Sequence, residues 1–225
     1  GYREDDKLGG KDPYSASKAS SELVVQSFRN PKLNLSNETK YATARAGNVI
    51  GGGDWSQDRL IPDAIKSLIN GSNLVIRSPN STRPWQHVLE PISGYLSLAH
   101  KLYSDNRLNG DNFNFGPEKT SNKTVKELIE GLSLRWGFDD VSESYYIKQT
   151  DEFHEAGLLQ LDCSKAKEKI DWLPNLSFEQ MINFSSDWYN EFYKYNDIEE
   201  MIITSENQIK SYVDIASEKN YSWTN

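Results

Sequence analysis

Residues 41–50 read YATARAGNVI and run directly into Gly51-Gly52-Gly53. The run is short, β-prone and closed by glycines, which predicts one buried strand ending in a loop that exposes its backbone. Upstream, Asp12-Pro13 reads as an N-cap followed by the first helical position. Ala16, Ala19, Leu23 and Phe28 then recur at helical spacing, predicting a helix over about 13–29. Downstream, helices are predicted over 60–69, 92–103, 124–136, 177–195 and 198–216, with strands at 74–76, 112–115 and 145–147. Strands separated by helices predict an α/β fold with a mainly parallel sheet.

Composition narrows the function. The 225 residues carry 25 Lys+Arg against 33 Asp+Glu, a net charge of −8, which argues against a nucleic-acid partner because counterion release needs a basic face. The single cysteine, Cys163, excludes an internal disulfide, and His87, His100 and His154 have no zinc-ligand spacing, so no metal is expected. No apolar run approaches the ~18 residues of a membrane span, and the opening GYREDDKLGG has no signal-peptide core. A soluble, cytoplasmic protein with no membrane partner is the expectation. His87 and Cys163 read as buried core residues, and Phe184, Trp188, Tyr189 and Phe192 as a packing stripe on one helix.

The chemistry-bearing pair is Tyr14-Ser-Ala-Ser-Lys18, a phenol and an ammonium at i and i+4 on one helix face. A phenol titrates near ~10 in water, and a fixed cation a few ångströms away favours phenolate, so such a pair can deprotonate an alcohol. Alone the spacing also fits a solvated surface pair. The neighbours Ser15, Ala16, Ser17, Ala19, Ser20 and Ser21 are all small, which lets the backbone lie close to a flat cofactor or another helix.

The runs DPYSASKASSELV (12–24), ARAGNVIGGGDWSQDRLIPD (44–63), RPWQHVLEPISGYL (83–96), NFGP (114–117) and LDCSKAKEKIDWLP (161–174) together resemble the extended short-chain dehydrogenase/reductase family, most of all its CDP-glucose 4,6-dehydratase branch. The resemblance implies a Rossmann-type NAD(P)-binding domain with a smaller α/β sugar-nucleotide-binding lobe. It divides the chain into residues 1–53 (Rossmann-type, with the YxxxK helix), 54–82 (substrate lobe), 83–117 (return to the Rossmann-type part) and 118–225 (substrate lobe and C-terminal helices). The glycine-rich G-x-G-x-x-G turn that holds the NAD pyrophosphate in this family does not occur in the sequence, and Gly51-Gly52-Gly53 lacks its spacing. By family proportions the expectation is a C-terminal fragment without roughly the first 130 residues, hence an incomplete Rossmann-type fold that is inactive alone.

By the same resemblance Tyr14 would take the proton from the sugar 4-hydroxyl as hydride passes to NAD, and Lys18 would hold the nicotinamide ribose. Elimination of water across C5–C6 and hydride return to C6 would complete the conversion of CDP-glucose to its 4-keto-6-deoxy product. Asn48, Arg59, Arg77, Arg83 and His154 would bind substrate, with Arg83 matching the family's diphosphate arginine. Relatives pair through helices near Tyr14, which implies a possible homodimer. A same-fold epimerase or reductase, and a non-catalytic sugar-nucleotide-binding fragment, remain the alternatives at this point.

Overall fold

Gly47 divides the 41–50 run in two. The computed structural model describes residues 1–10, 12–28, 39–118, 122–148 and 159–224. In chain order these form α1 (Pro13–Ser27), β1 (Thr43–Ala46), β2 (Asn48–Ile50), α2 (Leu60–Ile69), β3 (Leu74–Ile76), β4 (Thr82–Arg83) and β5 (Trp85–His87). They continue with α3 (Leu89–Ser104), β6 (Asn112–Phe115), β7 (Lys123–Thr124), α4 (Val125–Arg135), β8 (Tyr145–Ile147), α5 (Ser164–Ile170), α6 (Phe178–Tyr195) and α7 (Ile198–Glu218). β1 pairs in parallel with β6, β2 with β5 and β3 with β8, while β4 and β7 are antiparallel. The mainly parallel α/β architecture agrees with the sequence pattern.

The single predicted strand is therefore two strands with different partners. The Gly47 amide donates to the Phe115 carbonyl at 3.0 Å and closes the ladder to β6. A methyl group on Gly47 would fall 2.6 Å from the Pro84 carbonyl oxygen, so only glycine lets the chain pass against the β4–β5 junction. From Asn48 onward the pairing is to β5, with Asn48 opposite Trp85 and Ile50 opposite His87.

Local capping explains the starts of α1, α4 and α6. Asp12 accepts from the Ser15 amide (2.9 Å) and hydroxyl (2.6 Å) ahead of Pro13, and α4 and α6 open with reciprocal Thr124–Glu127 and Ser177–Gln180 capping boxes. α3 starts three residues before the predicted Ile92, because only Val88 separates Leu89 from β5.

Two apolar clusters hold these elements. In one, Ile50, Ile65, Ile76 and Trp85 pack under α4 and α6 through Leu128, Leu132, Ile182 and Tyr189. In the other, Phe113 and Phe115 of β6 pack against Leu98, Ile170 and Trp172. Gly94 allows α3 to seat on β6, since a methyl there would fall 2.3 Å from a Phe115 ring carbon.

The first turn of α3 carries a buried carboxylate. Glu90 accepts from the Asn175 and Leu176 amides (2.9 and 2.5 Å) and the Tyr212 hydroxyl (3.0 Å), tying α3 to the turn before α6 and to α7. Burial raises its pKa, and those three donors pull the other way without cancelling the rise. α1, in contrast, buries no residue and is joined to β1 by a fork in which Arg45 Nε and Nη2 each donate to Glu22 at 2.5 Å. Among the described residues no helix is long and apolar enough to cross a membrane.

Gly47→Ala should lower stability by about 1–3 kcal/mol in urea unfolding, the scale of an overpacked site. Gly131→Ala, inside α4 with Ile182 at an ordinary 3.4 Å, should be neutral or stabilise by up to about 1 kcal/mol. Equal effects from the two would show that Gly47 is not sterically required.

Candidate active site

A cavity of about 790 Å³ opens where β1 and β2 part to their separate partners. Ligand clefts in parallel α/β sheets lie at the carboxyl ends of strands where neighbouring connections diverge, and this volume suits a small-molecule site. Its walls come from Tyr14 of α1, from Ala46 through Gly52, from Asp54 and Arg59, and from Trp85 beneath. Leu60, Ile61 and Pro62 add the first turn of α2, where no side chain caps the helix amides.

Three of the sequence-predicted site residues line the cavity, and a fourth, Lys18, stands beside one of them. Tyr14 is 71% exposed and faces the cavity, with Lys18 Nζ 5.6 Å from its ring centroid, so the two share one helix face as their spacing predicts. Asn48 is half-buried at the start of β2. Arg59 stands at the rim, 3.7 Å from the Asp54 carboxylate.

The remaining predicted residues lie elsewhere. Arg83, on β4, is half-buried, donates from Nη1 to the Thr82 carbonyl at 2.8 Å and does not line the cavity. Arg77 is exposed just after β3 and also lies off the lining. His154 lies outside the described residues.

Asp54 and Trp85 are lining residues not singled out from the sequence, although both stand in the quoted runs, Asp54 directly after the glycine cluster. Burial pushes the Asp54 carboxyl up, but the Ser56 amide and hydroxyl together with the charges of Arg59 and Lys66 outweigh it and hold the group below the usual carboxylate range. His87 is buried behind the cavity floor, as predicted for a core histidine. Its Nδ1 accepts from the Leu89 amide at 3.4 Å and its ring meets Phe184 edge-on at 5.4 Å.

Solved structures share this architecture. The dTDP-glucose 4,6-dehydratase of Bacillus anthracis in complex with NAD superposes with a TM-score of 0.70 at 22% identity, over 86% of this chain and 57% of that one. The UDP-glucose 4-epimerase of Thermotoga maritima with UDP-glucose gives 0.69 at 21% identity, over 85% and 58%. The fold is thus the Rossmann-type α/β fold of these dehydratases and epimerases.

Sequence comparison narrows the class. Residues 1–184 match the family model described as GDP-mannose 4,6 dehydratase. The CDP-glucose 4,6-dehydratase of Salmonella typhimurium is 41% identical over 217 residues, 95% of this chain and 59% of that protein. The UDP-glucose 4-epimerase of Mycoplasma pneumoniae is 25% identical over 193 residues, 80% of this chain and 54% of that protein. The chain belongs to the GDP-mannose 4,6-dehydratase family, as its resemblance to the extended short-chain dehydrogenases/reductases implies, and it spans somewhat over half the length of the curated relatives it matches.

Burial lowers the His87 pKa from its ordinary 6.5 to about 4. Unfolded histidine takes up a proton below 6.5 that the folded ring refuses, so this group's stability contribution is complete above pH 6.5 and falls, by up to about 1.4 kcal/mol per pH unit, as pH drops towards 4. The His87 ring resonances should therefore stay flat in an NMR titration from pH 8 to about 5.5. A midpoint near the ordinary value would show that the ring is solvated.

Proposed function

We propose that this chain carries the nucleotide-sugar site and the catalytic base of an NAD-dependent CDP-glucose 4,6-dehydratase. The observation that carries the reading is the meeting of Tyr14, Asn48 and Arg59 on the walls of one cavity, with Lys18 beside the phenol. The 41% identity to the Salmonella CDP-glucose 4,6-dehydratase supports the choice of nucleotide and sugar.

The residues fit one end of NAD. Tyr14 and Lys18 project from a helix whose adjacent positions are serine and alanine, which leaves room for a flat ring and lets Lys18 donate to the nicotinamide ribose. When bound, NAD supplies a reversible hydride acceptor for the sugar. Tyr14 accepts the proton of the sugar 4-hydroxyl as that carbon is oxidised to the ketone, and Lys18 holds positive charge next to the phenol as it does so. Asn48 offers an amide to the sugar or to the phosphate nearest it. The diphosphate is met by Arg59 at the rim and by the open amides of α2. Arg83 lies off the cavity lining, and its place as the second arginine rests on the family resemblance alone.

Isothermal titration of the 225-residue chain with CDP and with cytidine tests this reading. CDP should bind more tightly, and Arg59→Ala and Arg83→Ala should each weaken CDP by about 1.5–3 kcal/mol while leaving cytidine nearly unchanged. Arg77→Ala should alter neither. Equal affinity for the two ligands, or equal losses for both in the arginine variants, would remove the diphosphate from this cavity.

A further inference from the structure

At the rim, Arg59 is the N-cap of α2, its carbonyl accepting from the Asp63 amide at 3.0 Å, whereas Asp54 sits in the loop that leads to it. Between β2 and α2 the chain passes through two left-handed residues, Gly53 (φ 79°) and Asp58 (φ 59°), and makes no strand pairing. What holds it is α6, more than a hundred residues later in the sequence. The Tyr189 hydroxyl donates to the Asp54 carbonyl at 2.9 Å and accepts from the Asp54 amide at 3.2 Å, so one phenol satisfies both backbone groups of a single loop residue. On one side the Trp188 ring lies where a side chain on Gly52 would begin, 2.0 Å from a methyl built there. On the other, Trp55 packs edge-on to Tyr189 with centroids 5.3 Å apart and tilted on Phe192 at 4.8 Å. Tyr189 is fully buried and does not line the cavity, so it has no direct route to a ligand.

We infer that Tyr189 is a positioning residue for nucleotide diphosphates: by fixing the Asp54 backbone it sets the Asp54–Arg59 pair, and through it the guanidinium that meets phosphate. The inference rests on the proposed nucleotide-sugar site. Its physical basis is that a charge-assisted contact is short and directional, so an arginine side chain with no fixed partner loses affinity in ordering itself. Asp54 orients Arg59 from 3.7 Å, but only if Asp54 is itself fixed. Burial pushes the Tyr189 pKa up to about 12, so the phenol keeps the proton it donates at any working pH.

Tyr189→Phe removes the hydroxyl and keeps the ring that Trp55 and Trp188 pack against. In titrations of the 225-residue chain it should weaken CDP about five- to tenfold, the scale of one lost hydrogen bond, and cytidine by less than about twofold. Because the effect runs through Arg59, the same substitution in an Arg59→Ala background should change CDP affinity by less than about twofold. Trp55→Leu, at a position 37% exposed, should repeat the CDP-selective loss with the fold intact.

Equal weakening of CDP and cytidine by Tyr189→Phe, or an undiminished effect without Arg59, would overturn the inference while leaving the nucleotide site in place. A wild-type chain with no preference for CDP over cytidine would overturn the proposed site and this inference together.

Discussion

The passage of Gly47 against Pro84 is the constraint on which the site depends. With no side chain at that point, the backbone completes its pairing to β6 and turns to β5 within one residue. The two ladders diverge, and the cavity runs past the end of β1 and along β2. Asn48 owes its place on the wall to being the first residue after the switch, and Trp85 owes its own to standing opposite Asn48 in the β2–β5 register. A bulkier residue at 47 would force the β4–β5 junction away and misplace both walls at once.

Around this cavity the chain uses different forces for different walls. The floor is apolar packing, with Ile50 and Trp85 under α4 and α6. The Tyr14 wall is held by charge, since α1 buries no residue and the Glu22–Arg45 fork is its charged link to β1. The Arg59 wall is held by a phenol reaching in from α6. Such a division leaves the rigid element beneath the ligand and the polar, adjustable ones at its sides. The acidic net charge of −8 makes the placement of individual arginines matter more, because the protein as a whole repels a diphosphate.

Much of this was legible in the sequence because it is local. Asp12-Pro13 and the i, i+4 pairing of Tyr14 with Lys18 are encoded within a single turn, and each predicts its structure directly. The glycine cluster after Ile50 likewise marked a loop at the cavity edge. What escaped was non-local or lacked a period. β5 is three residues long and buried on both faces, so no alternation betrays it. α5 reads SKAKEKI, with only Ala166 and Ile170 buried, too short a pattern to stand out. The split at Gly47 depends on Pro84, and the role of Tyr189 on Asp54, a residue 135 positions away. An aromatic stripe on a helix looks like core packing from sequence, and Tyr189 is core packing; its hydroxyl is what reaches the loop.

The most direct measurement is a crystal structure of the chain with CDP-glucose bound. The diphosphate should lie within hydrogen-bonding distance of the Arg59 guanidinium, with the glucose 4-hydroxyl directed at the Tyr14 phenol and Asn48 between them. Ligand density outside the cleft between β1, β2 and α2, or a nucleotide lying with its base against Tyr14 and its phosphates away from Arg59, would show that the cavity at the Gly47 switch is not the nucleotide-sugar site.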